Sequence, residues 1–154
     1  MLKLISNLIN LNAALACKAR SLIAHEEAMV FYSAKNFKEA LPLMIEASEL
    51  GNPEAMSILG SMYLMGTGVK EDGLLAVNWL QRSIDAGFED AVSVLGMAYA
   101  TGKAGVKIDV QKAREMLTYC ADKGNEQSAR MLSMMERGDG MFRHLKKKKT
   151  AKRR

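Results

Sequence analysis

The sequence predicts an all-α fold, a solenoid of antiparallel helix pairs, and three observations carry that expectation. The first is an internal repeat. Ala55, Leu59, Gly60, Tyr63 and Gly66 recur 36 positions later as Ala91, Leu95, Gly96, Tyr99 and Gly102. The second copy then carries one extra residue, so Gly68, Val69, Asp72, Ala76 and Gly87 recur at 37 as Gly105, Val106, Asp109, Ala113 and Gly124. Such a period marks stacked supersecondary units, each too small to bury its apolar face alone. The second observation is composition: two prolines in 154 residues, 49% hydrophobic and 25% charged, without β-branched runs. That suits one helical domain with a continuous core. The third is punctuation. Asn52, Asp72 and Asp109 stand where helix N-caps belong, with Pro53 at a first helical position. Gly51, Gly66, Gly87, Gly102 and Gly124 stand where helices close.

Residues 1–20 read as a separate amphipathic helix. Leu4, Leu8, Leu11 and Leu15 share one helical face, and Asn7, Asn10 and Asn12 lie away from it. Such a helix either caps the solenoid or meets a partner. A secretory signal competes with that reading, because residues 1–16 carry Lys3 and are rich in Leu and Ile, and so does an organellar presequence, because Lys3, Lys18 and Arg20 are balanced by no acid in the first 25 residues. Against the secretory signal, the asparagines interrupt its apolar region. No stretch approaches the ~20 apolar residues of a membrane span.

Residues 21–54 read as an opening repeat, with Ala28, Ala40 and Ala47 at small positions and Phe31 and Phe37 at aromatic ones. Residues 55–90 and 91–127 are the two full copies. Ala55, Ala76, Ala91 and Ala113 are small so that paired helices approach closely, and Leu59, Met62 and Tyr63, with Leu95, Ala98 and Tyr99, form the core stripe. Residues 128–140 begin a third copy at Ala129 and Leu132 and stop at Gly138-Asp139-Gly140, as a terminal capping helix does. Residues 141–154 form a basic tail, too charged to fold.

The Ala, Leu-Gly, Tyr, Gly-x-Gly-Val, Asp, Ala and closing Gly pattern resembles the Sel1-like repeat. The first copy also keeps the pattern's tryptophan, at Trp79, where the second has Met116. Residues 21–54 resemble the related tetratricopeptide unit and lack the Gly-x-Gly-Val loop. The resemblance implies a right-handed α-solenoid whose first helices line a concave groove, and adaptor or scaffold roles, often in bacteria.

Little in the sequence suggests catalysis. Cys17 and Cys120 lack a CxxC partner and read as small buried apolar residues, which fits a reducing compartment and a cytoplasmic location. His25 and His144 have no ligand partner at helical spacing. Gly66-Thr67-Gly68-Val69 lacks the Gly-Lys-Ser/Thr ending and the preceding strand of a phosphate loop. No enzyme, metal, cofactor or small-molecule substrate is expected.

Twelve methionines stand out. Met62 belongs to the core stripe. Met56, Met97 and Met134 fall away from it, and two readings stand for them: core filler, or an adaptable contact surface in the groove. Ser57, Ser61, Leu64, Ser93, Gln127 and Arg130 share that surface. The expected function is non-catalytic binding of another protein there, an immunity protein that caps a toxin being one form. The alternative lies in the tail. Lys146, Lys147, Lys148, Lys149, Lys152, Arg153 and Arg154 are seven of the 22 basic residues; without them the chain holds 15 basic and 17 acidic residues. The folded body is thus mildly acidic, which argues against a nucleic-acid-binding face on the fold. The tail itself suits nucleic acid or an anionic membrane.

Overall fold

A computed structural model of the chain describes residues 2–138. The basic tail, His144, the end of the capping segment and the side chains of Leu4 and Leu8 lie outside the described residues. Among the described residues every regular element is helical: α1 (Leu2–Ser33), α2 (Phe37–Glu49), α3 (Pro53–Met65), α4 (Gly73–Asp85), α5 (Asp90–Thr101), a 3-10 turn (Lys103–Gly105), α6 (Val110–Asp122) and α7 (Glu126–Arg137). Each helix packs on its sequence neighbours, and α3 also touches α5, which makes the solenoid.

The helix ends are set locally. Asn52 accepts from the Ala55 N–H, Asp72 from those of Leu74 and Leu75, Asp109 from Lys112 and Asn125 from Ser128. Each satisfies an amide that the helix leaves without a partner. At the far ends the N–H groups of Asn52, Phe88 and Asn125 reach back to the carbonyls of Ala47, Ser83 and Cys120, the bond of a Schellman close.

The connections separate the opening repeat from the others. α1 and α2 are joined by residues 34–36 alone, whereas residues 66–72 and 102–109 form long loops. Both long loops are pinned alike, by the Asp72 N–H to the Tyr63 carbonyl and the Asp109 N–H to the Tyr99 carbonyl, each 3.0 Å. The second copy's extra residue is taken up in the 3-10 turn, where Ala104 is held at φ 55°. A left-handed alanine costs about 1–2 kcal/mol.

The core is a chain of clusters. Ala24, Ala28, Met44, Ala47, Ala55, Leu59 and Met62 are fully buried between α1, α2 and α3. Leu64, Ala76, Ala98 and Val106 form the next, then Leu80, Ala91 and Leu95, then Ala100, Ala113, Leu117 and Met135. The repeat tyrosines join them: Tyr63 packs against the first two groups and Tyr99 against the last three.

α1 departs from the sequence expectation. It runs unbroken past residue 20, because no glycine or proline occurs before Pro42. Its anchorage starts where Arg20 forks onto Glu46 at 2.6 and 2.8 Å and the Ser21 hydroxyl donates to the Ala47 carbonyl. Residues 10–20 are all exposed, so this stretch does not cap the solenoid. Cys17 lies within it and is exposed, a correction to its reading as buried.

Gly66 closes α3 at φ 68°, and a Cβ there would meet Glu71 Cγ at 2.9 Å. Gly66→Ala is expected to destabilise by about 1 kcal/mol or more, and Ala104→Gly to stabilise by roughly 0.5–1 kcal/mol. Urea unfolding of both variants checks the pair; an equal sign for the two would contradict the left-handed assignments.

Candidate functional site

The first helices of the repeats carry equivalent positions in register. Ser57 of α3, Ser93 of α5 and Arg130 of α7 form one row, and Ser61, Met97 and Met134 form another. The rows are buried to different degrees. On α3, Met56 and Ser57 are 5% and 6% exposed, and Ser61 is half-buried with its hydroxyl donating to the Ser57 carbonyl. Leu64 is fully buried against Ala76, Ala98 and Val106. Met56, Ser57 and Leu64 are therefore interior residues, a correction to their reading as contact surface. The cause is position: α3 is flanked by α2, α4, α5 and the 3-10 turn, which leaves its sides covered.

The other end differs, because α7 packs chiefly on α6. Here Ser93, Val94 and Met97 of α5, Leu117 of α6, and Gln127, Ser128 and Met131 of α7 line a crevice of about 50 Å³. Three expected residues, Ser93, Met97 and Gln127, meet in it. Met134 is half-buried against the Ala100–Leu117–Met135 cluster, and Arg130 is exposed and held by Glu126 at 2.8 Å. Val94 and Met131 were not among the expected contact residues. They are repeat equivalents of Ile58, so the register contained the signal.

A second cleft, about 370 Å³, opens at the junction of α5 and α6 with α7 and is lined by Glu89, Asp90, Tyr119, Cys120, Lys123, Gly124 and Asn125. Two of its three charged groups, Lys123 and Glu89, are engaged with each other. Lys123 Nζ lies 2.5 Å from Glu89 Oε2 and 4.6 Å from the Tyr119 ring centroid, and Tyr119 Oη donates to Glu89 Oε1. The bond to Glu89 pushes Lys123 up to about 12, and the bond from Lys123 holds Glu89 below the usual carboxylate range. Burial pushes the Cys120 thiol up, which keeps it protonated and a poor nucleophile. His25 is 6% exposed, with Nε2 3.6 Å from Glu54 Oε2. Among the described residues no group of three histidines, cysteines or acids could hold a metal ion. What the arrangement offers chemically is a surface: an uncharged crevice beside an internally satisfied ionic cluster.

Residues 53–88 and 90–125 match the Sel1 repeat family. No curated protein matches the sequence. Among solved structures the chain is similar to a Sel1 repeat protein from Oxalobacter formigenes, at 22% identity and TM-score 0.63, over 72% of this chain and 45% of that one. It is similar to c5321, a protective antigen of uropathogenic Escherichia coli displaying an SLR fold, at 28% identity and TM-score 0.64, over 79% of this chain and 26% of that one. It also resembles the cysteine-rich protein B of Helicobacter pylori, at 24% identity and TM-score 0.51, covering 60% of this chain and 69% of that one. The chain thus spans less than half the length of the first two.

The Lys123–Glu89 pair gives a pH dependence of definite sign. Glu89's contribution to stability is present above its unfolded value and lost as pH falls through its depressed folded value. Lys123's is present below the ordinary lysine value and lost as pH rises through about 12. In Lys123→Met the Glu89 carboxyl is expected to titrate higher, near an ordinary glutamate. Carboxyl-carbon NMR titration of both proteins reads it, and an unmoved Glu89 midpoint would dissolve the pair.

Proposed function

We propose that the chain, a Sel1-like repeat protein, works as a non-catalytic binding module that holds a protein partner on the inner face of α5 and α7. The observation that carries this reading is the crevice where Ser93, Met97, Gln127 and Met131 converge without a charged side chain. Its rim supplies what a recognised polypeptide needs: methionines that repack around a foreign side chain, and hydroxyl and amide groups that fix orientation. Arg130 on the same row adds a rim charge. The location proposed is cytoplasmic, in keeping with two free cysteines.

The narrower form of the proposal is an immunity protein that occupies a bacterial toxin. It is supported by the small repeat body and by the bacterial origin of the three similar structures. The tail of residues 146–154 is the competing binding element, and it acts on nucleic acid or an anionic surface.

Capture from a nuclease-treated host lysate, with the full chain and with a chain ending at Leu145, separates the two. Both proteins are expected to retain one stoichiometric partner. Met97→Glu and Arg130→Glu are each expected to weaken its affinity, Met97→Glu by about tenfold or more, with helicity unchanged by circular dichroism. Calorimetric titration with the identified partner measures it. Affinity unchanged in both variants removes the inner face from the account, and capture that needs residues 146–154 transfers the function to the tail.

A further inference from the structure

Residues 10–20 of α1 form an exposed stretch of helix. Among the described residues, side-chain bonds from α1 to α2 are made by Arg20 and Ser21, at the end of this stretch. At 1.5 Å per residue, the part of α1 before Arg20 amounts to about 27 Å of helix. Its surface is sorted. Leu11 and Leu15 are 56% and 57% exposed, and Leu22 at 52% continues their row toward the body beside Ile23 at 50%. In sequence the same spacing begins at Leu4 and Leu8. Lys18 takes the row's place between Leu15 and Leu22, Lys3 stands near its start, and no acid precedes Glu26.

The charge selects the occupant. A second copy of this helix would bring Lys3 and Lys18 against identical cations with no carboxylate between them, so self-pairing is opposed. A leucine row carrying lysine and no acid is complementary to an anionic lipid surface, where the apolar face enters the acyl–headgroup boundary and the lysines snorkel to the phosphates. Among the described residues no helix is long and apolar enough to cross a membrane, so the contact is a helix lying on the surface. We infer that this exposed stretch of α1 binds the chain to an anionic bilayer, with the leucine row of Leu11, Leu15 and Leu22 as the inserting face. This goes beyond the binding of a protein on the inner face and does not depend on it.

The test is vesicle flotation of the full chain with phosphatidylcholine alone and with roughly one third phosphatidylglycerol, enough for a strong negative surface potential. The full chain is expected to float with the anionic vesicles and not the neutral ones. Leu11→Glu with Leu15→Glu is expected to lose about tenfold or more of that binding while keeping its helicity in solution, since both positions are exposed. It also keeps its affinity for the inner-face partner, which separates failure of this inference from failure of that reading. A chain ending at Leu145 still floats, more weakly and with less salt dependence. Equal flotation of the double variant and the parent chain overturns the inference, since the tail is then the lipid contact. Absence of flotation overturns it too, as does a dimer in sedimentation that the double variant alone abolishes.

Discussion

The architecture depends on how closely the two helices of each repeat approach. At Gly60 a Cβ would lie 2.7 Å from Leu80 Cγ and 3.1 Å from the Ala76 carbonyl, and at Gly96 it would lie 3.1 Å from Leu117 Cγ. A glycine inside a helix costs about 0.5–1 kcal/mol relative to alanine. Full burial of a leucine is worth about 1.5–3 kcal/mol, and both Leu80 and Leu117 are buried to 1% exposure or less. The close approach therefore wins. It also fixes where everything else sits: with the pair drawn together at Gly60 and Gly96, Tyr63 and Tyr99 are left to span from one core cluster to the next.

Most of this geometry was legible in the sequence because it is periodic. Each cap is a short-range matter of one side chain and two or three amides, so Asn52, Asp72 and Asp109 could be assigned from position alone, as could the glycines at φ near 68–92°. The extra residue of the second copy was visible as a shift from 36 to 37, and the structure resolves it in the 3-10 turn at Ala104. What a period does not encode is the ends. The exposure of residues 10–20 of α1, Cys17 among them, depends on where α2 stops, which is a tertiary fact.

The candidate site was only half legible, for a related reason. A repeat register says which residues share a face and not how much of that face survives stacking. Met56, Ser57 and Leu64 sit in the middle of the stack, where neighbours on both sides cover them. Ser93 and Arg130, the register equivalents of Ser57, and Met97 and Met134, those of Ser61, sit toward the end, where α7 packs chiefly on α6, and they stay at least partly open. Val94 and Met131 were overlooked because their register partner Ile58 packs against a core cluster, so the row reads as interior until the last repeat leaves its edge open.

The ionic groups of the repeat body are largely paired, and the crevice carries none. The ionic pairs span neighbouring helices and loops: Lys103 with Glu71 at 2.6 Å, Lys123 with Glu89, Arg114 with Glu136 at 3.4 Å. All are exposed, and exposed pairs contribute little to stability; their consequence is that these cations and acids are already engaged with one another. The crevice beside them is lined entirely by Ser, Val, Met, Leu and Gln. A ligand that reaches it meets no charge to neutralise, and the free energy it gains comes from apolar contact and a few hydrogen bonds. Selectivity at such a surface follows the shape of the inserted side chain, and flexible Met97 and Met131 broaden the range of shapes it accepts. Recognition by this body is then expected to be weakly dependent on salt, whereas any contact made through the basic termini must depend on it strongly. Ionic strength thus separates the repeat body from the basic termini as binding elements.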